Sequence, residues 1–115
     1  MNRTGLAQGI IDALPEPAFL LTPEGGIIGA NRAALATLGG APAGGTLSDR
    51  LLTPRDEVAS YLARCRTTTT PMPGALTFRT ADGESRFRVH CARLSGRPDE
   101  VVLLLRCADL RGDRF

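Results

Sequence analysis

The last third of the chain alternates between apolar and polar residues over three segments, and this pattern constrains the fold more than any other feature. The segments are 74–80, 85–94 and 101–108. Successive side chains of a β-strand point to opposite faces of a sheet, so alternation of this kind predicts half-buried strands. Asp82-Gly83 separates the first two segments and is a strong signal for a tight hairpin turn. This part of the chain is therefore predicted to form three antiparallel strands.

The alternation sorts these strands into two faces. One face is apolar and consists of Leu76, Phe78, Phe87, Val89, Cys91, Val101, Leu103 and Leu105. The other face carries mainly threonine, arginine and histidine, but Val102 and Leu104 also fall on it. An exposed apolar strip is commonly covered by another element. We therefore expect a cover over Val102 and Leu104.

An amphipathic helix at the start of the chain is the obvious cover. The spacing predicts a helix over 4–14, with Thr4 as its N-cap and Pro15 ending it. Two glycines make it marginal in isolation, so it must dock on another surface. Its apolar stripe is predicted to cover Val102 and Leu104, from its own chain or from a second copy. The stripe consists of Leu6, Ile10 and Leu14.

A hairpin and a helix follow. The apolar runs 18–22 and 27–30 are separated by a Glu-Gly pair at Gly25, which predicts an antiparallel hairpin. Asn31 comes directly after the second run and is suited to N-cap a helix over 32–38.

Two further helical segments are predicted before the last three strands. Leu47, Leu51 and Leu52 indicate one or two helical turns. Thr53 and Pro54 then look like the start of a longer helix that runs to about residue 66, with the proline at its first helical position.

This order of elements resembles the PAS family over nearly the whole chain. Residues 21–34 match the family's turn, its short strand ending in asparagine and the small residues of the next helix. Residues 51–56 look like the start of the family's long helix. Asp82-Gly83 lies at the position of the family's penultimate hairpin. Residues 109–111 are similar to the family's Asp-Ile-Thr exit motif. Thr22 replaces a usual aspartate, and Arg111 replaces a usual threonine or serine.

The resemblance implies an α+β fold, a five-stranded antiparallel sheet with helices packed on one face and an N-terminal amphipathic helix. It divides the chain into the N-terminal helix or cap at 1–16, the PAS domain at 17–110 and, at 111–115, the start of a linker to a missing output module. Asp109 is the expected signal exit.

The resemblance also implies a pocket between the helices and the sheet, suited to a small apolar ligand. The alternative is that the same residues fill the interior and no ligand binds, since apolar stripes usually form core. The residues concerned are Leu35, Leu38, Val58, Leu62, Phe78, Phe87, Val89, Cys91, Leu103 and Leu105.

No cofactor, catalytic group or metal site is evident. Haem is disfavoured because the long helix has no histidine and His90 falls on the arginine-bearing face. Covalent flavin is disfavoured because no segment resembles the Asn-Cys-Arg-Phe-Leu-Gln pattern of flavin-adduct relatives. Cys65 lies between arginines that would lower its pKa if the thiol were exposed, which would suit a redox sensor. The alternative is a small buried hydrophobe.

Charge and hydropathy narrow the class of protein. A net charge of +2 gives no reason to expect binding of nucleic acid or an anionic membrane by this domain. No segment reaches the ~20 apolar residues of a membrane span. Three cysteines without paired-ligand spacing indicate a reduced, cytoplasmic chain.

Function follows from the resemblance. The chain is expected to be a non-catalytic sensory domain that binds a small ligand or partner, forms a homodimer and regulates an output module of a bacterial sensor histidine kinase. The alternatives are the N-terminal sensor of a transcription regulator or cyclic-dinucleotide enzyme, and a ligand-free dimerisation or interaction module.

Overall fold

The computed structural model describes residues 3–38, 45–80, 83–94 and 101–109. One five-stranded antiparallel sheet organises them, in the order β2-β1-β5-β4-β3. The elements are α1 (Arg3–Asp12), β1 (Ala18–Leu21), β2 (Ile27–Ala30), α2 (Arg32–Thr37), a 3₁₀ helix (Leu47–Arg50), α3 (Arg55–Cys65), β3 (Met72–Thr80), β4 (Gly83–Arg93) and β5 (Leu103–Asp109). The predicted α+β fold is confirmed.

The inner face of the sheet packs on residues of α2, the 3₁₀ helix and α3 to form the main core. Strand parity placed this face correctly, because Leu76, Phe78 and Phe87 are buried. Each of the three helices contributes the residues on the side that faces the sheet. These are Ala34, Leu47, Val58, Tyr61, Leu62 and Cys65.

The outer face of the sheet carries a second, smaller core beneath α1. Val102 and Leu104 are half-buried there, as predicted, and Leu14 packs with them. The prediction for Ile10 is wrong in one respect. Its side chain is 59% exposed, and Ile11, with 1% exposed, fills the position beneath the helix. The side chain of Leu6 lies outside the described residues.

The difference arises from the rotation of α1. Ile11 lies on the face of the helix that meets the sheet, and Ile10 lies about 100° around the helix from it. The helix also includes Thr4, which is therefore not its N-cap, and ends at Asp12 rather than at residue 14.

The start of α3 differs from the prediction by one position. Pro54 is the N-cap residue and not the first helical residue. Thr53 does not cap the helix. Its hydroxyl oxygen instead accepts a hydrogen bond from the amide of Thr77 on β3, at 3.0 Å. The preceding helical turn ends at Arg50, and Leu51 forms an isolated bridge with Phe78.

The predicted turn between β3 and β4 falls partly outside the described residues. The two strands pair with Thr80 opposite Gly83, which is consistent with a hairpin. Gly83 has a φ of +121°, a backbone conformation that favours glycine.

No helix in the described ranges is long and apolar enough to cross a membrane.

Candidate functional site

The residues predicted to line a pocket mostly lie in one continuous core. Val58, Leu62, Phe78, Phe87, Val89, Cys91, Leu103 and Leu105 are all buried there. Leu38 is half-buried and packs against this core. Leu35 is half-buried as well. The structure therefore brings nine of the ten predicted residues together between the helices and the sheet, and Leu35 is not among the residues of this core.

Aromatic rings fill the middle of this core. The rings of Phe19 and Phe78 stack with their centroids 5.8 Å apart, and Phe87 meets Phe78 edge-on at 5.3 Å. A narrow gap remains beside these rings, next to Pro17 and Thr37. It contains no space large enough for a water molecule. At this point of the interior the side chains leave no room for a ligand.

Three thiols belong to the same core. Cys65, Cys91 and Cys107 are free and buried. Burial is the main cause that raises the pKa of each thiol, because a thiolate is poorly solvated in an apolar interior. Reactive cysteines need a lowered pKa and exposure. Cys65 therefore fits the buried hydrophobe and not the redox sensor.

Burial also raises the pKa of the neighbouring Tyr61 hydroxyl. That hydroxyl donates a hydrogen bond to the carbonyl of Met72 at 2.5 Å. The bond holds α3 against the start of β3, and the phenol remains neutral there.

Asn31, between β2 and α2, connects four segments and is 1% exposed. Its side-chain oxygen accepts hydrogen bonds from the amides of Ala34 at 2.9 Å and Ala18 at 3.0 Å. Its amide nitrogen donates to the carbonyls of Ile11 at 3.0 Å and Glu16 at 2.8 Å. The predicted N-cap is confirmed. The attachment of α1 by the same side chain was not predicted, since its partners lie 15 to 20 residues away.

A groove of about 630 Å³ runs along the outer face beside the end of α1. Its floor includes Ala92 and Leu104. His90 and Arg106 lie opposite each other on β4 and β5, so both face this groove. Arg106 forms an ion pair with Glu16 from the segment that follows α1. The single histidine is thus an exposed residue of the outer face, as the sequence indicated.

The predicted signal exit lies at the end of a central strand. β5 pairs with β1 on one side and β4 on the other, and Asp109 is its last residue. The side chain of Asp109 lies outside the described residues. β5 contributes Leu103 to the inner core and Leu104 to the outer core, so this strand contacts both cores.

Comparison with solved structures identifies the architecture. The chain superimposes on the PAS domain of an HTR-like protein from Haloarcula marismortui with a TM-score of 0.75 at 18% identity, over 93% of this chain and 91% of that chain. It superimposes on the PAS domain of nitrogen regulation protein NR(II) from Vibrio parahaemolyticus with a TM-score of 0.69 at 14% identity, over 91% and 98%.

A PAS domain from a two-component sensor histidine kinase gives a TM-score of 0.66 at 12% identity, over 91% of this chain and 94% of that chain. No family model matches the sequence, and no curated protein matches it. The chain has the PAS fold.

Proposed function

We propose that this chain is a non-catalytic signalling domain that regulates an output module, the kinase of a two-component system. The fold supports this, as does the similarity to a PAS domain from a two-component sensor histidine kinase. The observation that carries the proposal is the position of β5, which contacts both cores and leads to Asp109. Repacking of either core would move the strand from which an output module would follow.

The input in this proposal is a protein contact rather than an interior ligand. The gap beside Phe19, Phe78 and Phe87 has no space for water, so a ligand there would have to displace packed rings. Displacing tightly packed side chains is costly because protein interiors have close to crystalline density. Of the functions the sequence left open, the ligand-free dimerisation or interaction module fits the described interior best.

A second copy of the chain is the proposed contact, with α1 and the outer face as the interface. Ile10 is a large apolar side chain that α1 directs away from its own sheet. Leu104 forms part of the floor of the neighbouring groove and is only half-buried. Burying such groups between two copies would remove apolar surface from water, at about 25 cal/mol per Å².

A native mass spectrum of the undenatured protein tests this proposal. We expect a dimer without bound small molecules, and we expect Ile10→Lys to give a monomer of unchanged fold. Ala13→Lys is a matched control, because Ala13 is exposed next to α1 and contributes little apolar surface. A mass excess that disappears on denaturation would overturn the ligand-free form of the proposal. A monomer at all concentrations would overturn the dimer.

A further inference from the structure

β3 is an edge strand. Its outer side, which is the edge that faces away from β4 and not the outer face of the sheet, is only half covered. Its other side pairs with β4 along the whole strand. On the outer side, the carbonyl of Thr77 accepts a hydrogen bond from the amide of Leu52 at 2.8 Å. The amide of Thr77 donates to the hydroxyl of Thr53 at 3.0 Å. The chain covers the edge here and then turns away into α3.

The remaining part of the edge presents unpaired backbone groups. In an antiparallel pair, alternate residues direct their amide and carbonyl groups to the same side. Thr77 directs both groups outward, so Ala75 must do the same, as must the carbonyl of Pro73. No residue in the described ranges forms a hydrogen bond with these groups on the outer side. The edge thus offers one donor and two acceptors to another chain.

A groove of about 380 Å³ lies between this edge and α3. One wall is the backbone around Gly74 and Ala75, and the other is the flank of α3 that carries Asp56, Glu57 and Ser60. A Cβ at residue 74 would come within 2.8 Å of the ring of Tyr61, so glycine keeps this wall open and close to the ring. Pro73 to Ala75 can pair with about three residues of an extended chain, a length of about 10 Å.

The charged side chains that line the groove indicate which kind of peptide would bind there. Asp56 and Glu57 are exposed acids at the end beside Ala75. At the other end, the guanidinium of Arg64 lies 5.9 Å from the centroid of the Tyr61 ring. A segment with one basic residue beside the acids, and no second cation near Arg64, matches this arrangement.

We propose that the free edge of β3 binds a short extended peptide segment of a partner protein as a sixth strand, with a lysine or arginine beside Asp56 and Glu57. The bond pattern continues the one that Leu52 and Thr53 already make with Thr77. Pro73 has no amide hydrogen, which limits the pairing to a short segment and discourages extended edge-to-edge association. This site is independent of the interface on the outer face.

The experiment is a titration of the ¹⁵N-labelled 115-residue chain with an acetylated lysine-valine-threonine-valine peptide, followed by amide chemical shifts. The amide proton of Ala75 is expected to move downfield and to exchange more slowly, because it gains an acceptor. A peptide that begins with glutamate instead of lysine should bind about fivefold more weakly, since one favourable charge contact becomes repulsive. A peptide with N-methylated valines should not bind.

Two protein variants separate the backbone contribution from the charge contribution. Ala75→Pro removes the outward amide and should abolish the shifts of neighbouring β3 amides, with circular dichroism checking the fold. The pair D56N/E57Q should weaken binding about fivefold and leave backbone pairing intact. Glu24→Gln, an exposed acid in the β1–β2 turn, is the control and should change nothing.

Three results would overturn the proposal. The first is an Ala75 amide that does not move at millimolar peptide. The second is equal binding of the N-methylated peptide, because the contact would then not use the backbone. The third is an Ala75 amide that is protected in the free protein and loses protection on dilution, because a second copy would then occupy the edge.

Discussion

Asn31 and Ala18 exchange two hydrogen bonds across the start of β1. The backbone amide of Asn31 donates to the carbonyl of Ala18 at 3.1 Å, and the amide of Ala18 donates to the side-chain oxygen of Asn31 at 3.0 Å. The same side chain holds the amide of Ala34 and the carbonyls behind α1. One buried carboxamide therefore fixes the positions of α1 and α2 on the sheet.

Asn31→Ala is expected to lower the free energy of unfolding by about 3 kcal/mol. The substitution removes an N-cap, worth about 1 kcal/mol. It also leaves the buried amide of Ala18 and the carbonyl of Glu16 without the partner that Asn31 provides, at about 1–3 kcal/mol for each group that water cannot reach. Urea unfolding measures the loss.

Asn31→Asp is the matched variant, because it retains the acceptor for Ala18 and Ala34 but loses both donors to the segment behind α1. Hydrogen exchange should then increase more at 11–16 than at 32–38. Equal increases in both segments would show that Asn31 does not hold α1 separately from α2.

Truncation of two neighbouring isoleucines of α1 should change monomer stability by very different amounts. Ile11→Ala removes a buried side chain from the outer core and should cost about 3 kcal/mol of monomer stability. Ile10→Ala removes an exposed side chain and should change monomer stability by less than about 0.5 kcal/mol. Chemical unfolding at concentrations where the protein is monomeric measures both. Similar losses for the two variants would mean that α1 is rotated relative to its position here.

Strand faces could be predicted from the sequence, whereas the face of α1 could not. Phe87, Val89 and Cys91 alternate with arginine and histidine, so a period of two allows a single assignment. In α1, the stripe through Ile10 and the stripe through Ile11 are both apolar at helical spacing. The choice between them depends on packing against β1 and β5, which local periodicity does not contain.

The hydrogen bonds that join distant segments could not be predicted from the local sequence either. Asn31 was identifiable as an N-cap because Ala34 is three residues away. Its bonds to Ile11 and Glu16 require the hairpin to bring distant segments together. Thr53 was expected to begin a helix, but its hydroxyl bonds to Thr77, 24 residues further on. Neither partner leaves a signal in the local sequence.

Stability should fall steeply in alkali because of the buried thiols. Burial raises the pKa of Cys65, Cys91 and Cys107 above that of an unfolded thiol, about 8.5. A group with a raised folded pKa contributes its full stability below the unfolded pKa and loses it as the pH rises toward the folded value. Cys91 and Cys107, whose pKa values are raised furthest, should therefore each cost up to about 1.4 kcal/mol per pH unit above this point, and Cys65 should add to this loss.

Urea unfolding between pH 8 and 10 measures this slope. Cys107→Ala should reduce this slope by at least about one third, since it removes one of the two thiols with the largest pKa shifts. A slope that persists unchanged when all three cysteines are replaced by alanine would assign the alkaline loss to other groups.

Phe78→Ala should open the closed interior and give the chain an affinity for small apolar molecules. Phe78 is 1% exposed and lies between Phe19 and Phe87, so the truncation should cost about 3–5 kcal/mol. The space left behind is lined by apolar groups and should remain dry, which favours a ligand such as benzene. Benzene should therefore raise the melting temperature of the variant by binding only its folded state.

The natural chain is the control, because the gap beside these rings does not admit even a water molecule. Its melting temperature should not rise with benzene. If Phe78→Ala does not fold, Phe78→Leu provides a smaller cavity at lower cost in stability. A rise in the natural chain equal to that of the variant would mean that the rings separate readily, and an interior ligand would then replace the second copy as the proposed input.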